Sequence, residues 1–82
     1  EADRAADKAG EPSLAEMTAK AVEILRQNKN GYFLMVEGGR IDHAHHGGNA
    51  ARALKDTQAF SEAVAKALSM TNAKDTLVIV TA

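Results

Sequence analysis

The spacing of apolar residues along the chain predicts two helices. Over residues 13–27, apolar and polar side chains alternate with helical period, and Ser13 and Glu16 have the spacing of a capping box at the start. A longer pattern of the same period predicts a second helix over 49–70. The inward stripe of the first helix would comprise Leu14, Met17, Ala21, Ile24 and Leu25. That of the second would comprise Ala53, Leu54, Thr57, Phe60, Val64, Ala67 and Leu68.

Two short apolar runs, 32–37 and 76–81, predict buried strands because each is too short for a helix and the second is rich in β-branched residues. Strand, helix and strand in this order predict a right-handed parallel βαβ crossover. We therefore predict an α/β fold: a helix followed by a right-handed parallel βαβ unit, part of a larger three-layer α/β/α sheet domain. Residues 1–11 have no bulky apolar side chain and are predicted to be a flexible lead-in.

The segment between the first strand and the second helix, 37–48, has the composition of a metal-binding loop. It contains one Glu, one Asp and three His, with a glycine pair near each end. Carboxylates suit Mg²⁺, and imidazoles combined with carboxylates suit Zn²⁺. If the residues after Ile41 are helical, Asp42 and His46 project from one face and can bind one ion. Glu37 would emerge beside them, at the carboxyl end of a parallel strand, where ligands gather in such sheets.

Length, charge and composition exclude several classes of function. With 82 residues and three aromatic side chains, the chain can bury only a small core, so we expect it to be a piece of a longer protein. Ten basic and eleven acidic residues argue against a nucleic-acid-binding surface. The absence of cysteine excludes disulfides and zinc-thiolate sites. No apolar run is long enough to span a membrane, and no signal peptide is visible.

Each candidate ligand also has a structural interpretation. Glu37 could be a helix cap or a solvated loop carboxylate, and Asp42 could be a turn or helix cap, although its partner at i+4 favours a metal. Any two of the three histidines could be surface residues or could orient a ligand. Arg40 is expected in an exposed ion pair rather than at an anion site. The glycine pairs are expected to serve turns, because no nucleotide-binding fingerprint surrounds them.

Two segments of the chain carry a sequence motif. They are Gly-Tyr-Phe-Leu-Met-Val-Glu-Gly-Gly-Arg-Ile-Asp-His-Ala-His-His at 31–46 and Leu-Val-Ile-Val-Thr-Ala at 77–82, and both resemble the alkaline phosphatase family. Pro-Ser-Leu-Ala-Glu-Met-Thr at 12–18 is similar as well, so the resemblance implies that residues 12–82 are part of an alkaline-phosphatase-like α/β domain. It implies the following residue roles: Glu37 as a magnesium ligand, Asp42 and His46 as ligands of one zinc, and His43 near the bound phosphate, where other members have Lys. His45 matches no ligand of the family.

The resemblance implies a phosphomonoesterase that uses two zinc ions and one magnesium ion and hydrolyses phosphate monoesters through a phosphoserine. The family's serine nucleophile, its phosphate-clamping arginine and its Asp-His pair after Thr81-Ala82 have no counterpart here. The three serines of the chain, Ser13, Ser61 and Ser69, lie in helical contexts and are poor candidates for the nucleophile. The isolated chain is therefore expected to be inactive. It is also expected to be poorly folded, because its two predicted strands would expose edges and faces made for neighbours.

The family resemblance also implies a homodimer located in the periplasm or outside the cell. Two alternatives stay open. One is a phosphodiesterase or sulfatase of the same superfamily, which Glu37 disfavours because the magnesium site resembles alkaline phosphatases in particular. The other is a non-catalytic metal-binding domain.

Overall fold

A computed structural model describes Glu1, Arg4 and residues 10–81, and within these residues three helices have defined bounds. Helix α1 is Leu14–Leu25, α2 is Gly39–His46 and α3 is Ala50–Met70. Both α1 and α2 pack against α3, which is therefore the central element. None of these described helices is long and apolar enough to cross a bilayer. Most of the predicted lead-in, 1–11, and residue 82 lie outside the described residues.

Both long helices begin at a side-chain cap. The hydroxyl of Ser13 accepts a hydrogen bond from the backbone N–H of Glu16 at 3.1 Å and donates one to the Glu16 carboxylate at 3.2 Å. The Glu16 carboxylate thus accepts from the Ser13 hydroxyl, whereas in a capping box it would accept from the backbone N–H of Ser13. At the start of α3, the Asn49 side chain accepts from the Arg52 N–H at 3.0 Å. Each cap satisfies a backbone donor that the first helical turn leaves without a partner.

The buried face of α1 is displaced from the predicted stripe. Thr18 and Val22 are buried, whereas Met17 and Ile24 are 49% and 57% exposed. Thr18 can be buried because its hydroxyl donates to the Leu14 carbonyl at 2.7 Å, so the polar group keeps a partner. A buried face that is predicted only from the spacing of apolar residues leaves out a buried threonine of this kind.

Alanines form the buried face of α3. Ala53, Ala59 and Ala63 are buried, while Leu54 and Leu68 of the predicted stripe are 73% and 54% exposed. Small side chains on this face let neighbouring elements approach closely, since the distance between packed helices depends on the side chains at the contact. The core of the described residues is accordingly thin, and its only buried apolar side chains are alanines and Val22.

The prediction of an α/β fold with a right-handed parallel βαβ unit is wrong for this structure. Residues 32–37 and 76–81 are not strands, and the described part of the chain contains helices but no sheet. Both segments instead line an apolar cleft of about 170 Å³ beside α1 and α3, and Phe33, Met35 and Leu77 are 78% to 87% exposed. The β-branched composition favours a strand only when neighbours pair with it, and two strands alone are marginal.

Replacing Ala53 with leucine is expected to destabilise the protein by about 1 to 3 kcal/mol, because three added carbons must enter a site on α3 that is 4% exposed. The matched control is Ala51→Leu, two positions earlier on the same helix and exposed, where the same change meets solvent. Urea unfolding of the two variants measures the difference. Equal unfolding midpoints would mean that the buried face of α3 is not packed as described.

Candidate metal centre

Close packing between a glycine and an aromatic ring positions the start of α2. A Cβ added at Gly38, the N-cap residue, would lie 3.2 Å from Cδ2 of Phe60 on α3 and 3.3 Å from Cδ1 of Ile41. Both distances are tighter than ordinary van der Waals contact, so the absence of a side chain lets this end of α2 rest on α3. The amino end of the histidine-bearing helix is thereby held against the central element.

A Schellman motif fixes the other end of α2. The N–H of Asn49 donates to the Ala44 carbonyl at 2.9 Å, and the N–H of Gly48 donates to the His45 carbonyl at 3.1 Å. Gly48 has a φ of +66°, the left-handed conformation that this motif requires and that glycine adopts without steric cost. Because Asn49 also caps α3, the two helices share one tight turn. Asp42 and His46 therefore sit on a helix that is restrained at both ends.

The structure brings Asp42 and His46 together. Their side chains lie on adjacent turns of α2, about 40° apart around the helix axis, and Oδ1 of Asp42 is 3.2 Å from Nε2 of His46. Ala44, on the opposite side of the helix, is buried. The helix thus buries one face and presents the carboxylate and imidazole together on the other.

The geometry of this pair suits two ligands of one zinc ion. Donor atoms bound at tetrahedral zinc are roughly 3.3 to 3.6 Å apart, close to the observed 3.2 Å. The side chains are 75% and 78% exposed, so water competes for both groups and their mutual contact contributes little to stability. Exposure also leaves both donor atoms accessible to a cation. The pair therefore contributes little to holding the fold, and both donor groups remain available to a ligand.

Glu37 does not join this pair. Its exposed side chain turns back over the first residue of α2, with Oε1 3.4 Å from the position that a Cβ on Gly39 would occupy. A carboxylate there interacts favourably with the positive end of the helix dipole, which is the structural alternative to a ligand role. Across the described residues, no three His, Cys, Asp or Glu side chains lie together. The expected convergence of residues 37, 42 and 46 at the rim of a sheet is therefore not present.

His43 and His45 flank the pair on α2, and both are exposed. Among the described residues, neither imidazole makes a hydrogen bond or ion pair, and the backbone carbonyls of His43 and His45 accept from the N–H groups of Gly47 and Gly48 at the end of the helix. Most of the segment predicted as a metal loop, 37–48, is in fact helical. A helix after Ile41 was the condition under which Asp42 and His46 were expected to share a face, and the observed helix begins earlier, at Gly39.

Comparison with known proteins identifies relatives over nearly the whole chain. The profile of the alkaline phosphatase family matches residues 1–82. The tissue-nonspecific isozyme of alkaline phosphatase from Homo sapiens is 51% identical over 72 residues, which cover 88% of this chain and 14% of that protein. The isozyme from Rattus norvegicus is 54% identical over the same length.

Alkaline phosphatase from Gadus morhua is 47% identical over 76 residues, which cover 93% of this chain and 16% of that protein. The chain thus spans less than a fifth of the length of these curated relatives. No solved structure gives a significant match. The profile match over all 82 residues, together with this level of identity, shows that the chain belongs to the alkaline phosphatase family.

Proposed function

We propose that the complete protein is a metal-dependent phosphomonoesterase and that this segment supplies part of its metal site. The observation that carries the proposal is the pair of donor atoms on α2, Oδ1 of Asp42 and Nε2 of His46, at 3.2 Å. Family membership supports phosphate monoesters as the substrate class. The nucleophilic serine that forms the phosphoserine would come from another part of the enzyme.

The donor types fit the cofactors proposed for the parent enzyme, two zinc ions and one magnesium ion. One carboxylate and one imidazole are common zinc ligands, and the carboxylate of Glu37 is a hard oxygen donor of the kind that magnesium prefers. Zinc held by Asp42 and His46 would supply charge stabilisation at the reacting oxygens and would help to activate water as a nucleophile. The remaining ligands of each ion would come from residues outside this segment.

The chain's own residues would perform three tasks. Asp42 and His46 hold two donor atoms at a fixed separation, because α2 is anchored at Gly38 and at the turn after Gly47. His43 follows Asp42 on α2 and is exposed, so its imidazole could donate a hydrogen bond to a phosphate oxygen. Glu37 places a negative charge at the start of α2, within a few residues of the pair.

A substrate panel tests the reaction class. The complete enzyme, supplied with zinc and magnesium, is expected to hydrolyse phosphate monoesters with kcat/KM at least roughly 100-fold above that for diesters or sulfate esters, equivalent to about 3 kcal/mol of preference in the transition state. A preference for diesters or sulfate esters would instead favour the phosphodiesterase or sulfatase alternative. Tight zinc binding without turnover of any ester would favour a non-catalytic metal-binding protein.

Homodimerisation and export to the periplasm or cell exterior belong to the same proposal and rest on family membership alone. Light scattering of the purified complete protein gives its mass in solution, and fractionation of the producing cells gives its compartment. A monomeric or exclusively cytoplasmic enzyme would contradict this part of the proposal without affecting the substrate class.

A further inference from the structure

The turn between α1 and the segment 32–37 contains an Asn-Gly pair, Asn30-Gly31, that is exposed on the surface. Gly31 has a φ of +91°, and no atom lies within 4 Å of the position that a Cβ would occupy, so the peptide bond between the two residues is open to solvent. The N–H of Gly31 donates to the Asn28 carbonyl at 3.2 Å, at the long end of the range for such bonds. The backbone nitrogen is therefore only weakly held.

The side chain of Asn30 differs from those of the other three asparagines in the chain. The side-chain oxygen of Asn28 accepts from the Asn30 N–H at 3.0 Å, that of Asn49 accepts from Arg52 at 3.0 Å, and that of Asn72 accepts from Lys74 at 2.9 Å. Within the described part of the chain, the side-chain amide of Asn30 makes no hydrogen bond.

The residue that follows each asparagine also differs. Asn30 alone is followed by glycine, whereas Lys29, Ala50 and Ala73 follow the other three. Glycine has no Cβ to hinder approach to its own nitrogen, and its backbone reaches conformations that other residues avoid. Asn30 therefore combines an unrestrained amide with an unhindered neighbouring nitrogen.

We propose that Asn30-Gly31 is a site of spontaneous deamidation in the folded protein. The backbone nitrogen of Gly31 loses its proton and attacks Cγ of Asn30. The bond between Cγ and Nδ2 then breaks, ammonia leaves with the proton, and a five-membered succinimide forms. Water opens either of the two ring C–N bonds and yields aspartate or isoaspartate, with no oxidant or reductant involved.

The modification would change the turn in two ways. Each event replaces a neutral amide with a carboxylate, which adds a negative charge to a chain whose formal net charge is -1. In the isoaspartyl product, the main chain also continues through the side chain of residue 30, which lengthens the connection between α1 and residues 32–37. Because deprotonation of the Gly31 nitrogen starts the reaction, its rate rises with pH.

Peptide mapping of the complete protein tests the site. After incubation in neutral and mildly alkaline buffer, cleavage after glutamate at mildly acidic pH releases residues 24–37, which contain both Asn28 and Asn30. Fragmentation mass spectrometry then assigns the mass increase from amide to acid. Conversion at Asn30 is expected to be roughly tenfold or more faster than at Asn28, because glycine follows only the former, and faster in the alkaline buffer.

Two variants serve as matched controls. Asn30→Gln is expected to remove the fast conversion and leave only the slow conversion at Asn28, and Asn72→Gln, which alters an asparagine engaged in its own turn, is expected to leave the fast conversion at Asn30 unchanged. Equal rates at Asn28 and Asn30, no conversion at Asn30, or conversion only after denaturation would each overturn the proposal.

Discussion

Replacing Asp42 with alanine in the complete enzyme is expected to release one zinc ion per active site and to reduce phosphatase activity to near background. Substitution of residues that merely orient a metal ligand typically lowers metal affinity about 10- to 100-fold, so loss of a direct ligand is expected to cost more than roughly 100-fold. Elemental analysis of the dialysed protein and kcat/KM for a phosphate monoester measure the two effects. Unchanged zinc content and rate would disprove the role of Asp42.

The same helix provides controls for this prediction. His46→Ala removes the other donor of the pair and is expected to reproduce the zinc loss, and the double variant is expected to lose little more than either single one, because both residues act on the same ion. His45→Ala changes an exposed histidine of α2 that does not contact Asp42, and it is expected to retain zinc. Zinc loss in His45→Ala as well would indicate that the helix itself had been disrupted.

The sequence predicted the parts of the site that depend on local geometry. The spacing of Asp42 and His46 is sufficient to place their side chains side by side once the segment is helical, because residues four positions apart lie one turn above each other. The glycine pair at 47–48 was expected to serve a turn, and Gly48 adopts a positive φ in the turn between α2 and α3. Such features depend on a few neighbouring residues, so they can be predicted without knowledge of the rest of the fold.

The features that the sequence did not predict depend on distant partners. A run such as Leu77–Val80 becomes a strand only if other strands supply hydrogen bonds, and here it lines an apolar cleft beside the helices. The buried face of α1 likewise depends on Thr18, whose hydroxyl finds a partner in its own helix. The position of Glu37 relative to Asp42 and His46 also required three-dimensional information, because it was inferred from a sheet edge that the described residues do not form.

Glu37 has two competing roles, and the substitution Glu37→Gln separates them. If its carboxylate binds magnesium, the variant is expected to bind magnesium at least roughly tenfold more weakly, because magnesium sites rely on one or two protein carboxylates. Zinc at Asp42 and His46 should be retained. If Glu37 only stabilises the amino end of α2, the metal content is expected to be unchanged, and the metal-free protein should lose only about 0.3 to 1 kcal/mol of stability.

Glu62→Gln is the matched control for Glu37→Gln, because it makes the same chemical change at an exposed position on α3. Magnesium titration monitored by activity, together with urea unfolding of the chelator-treated proteins, distinguishes the two roles. Loss of magnesium with unchanged stability assigns Glu37 to the metal. Loss of stability with full magnesium occupancy assigns it to the helix, in which case the magnesium ligand must be sought on another part of the enzyme.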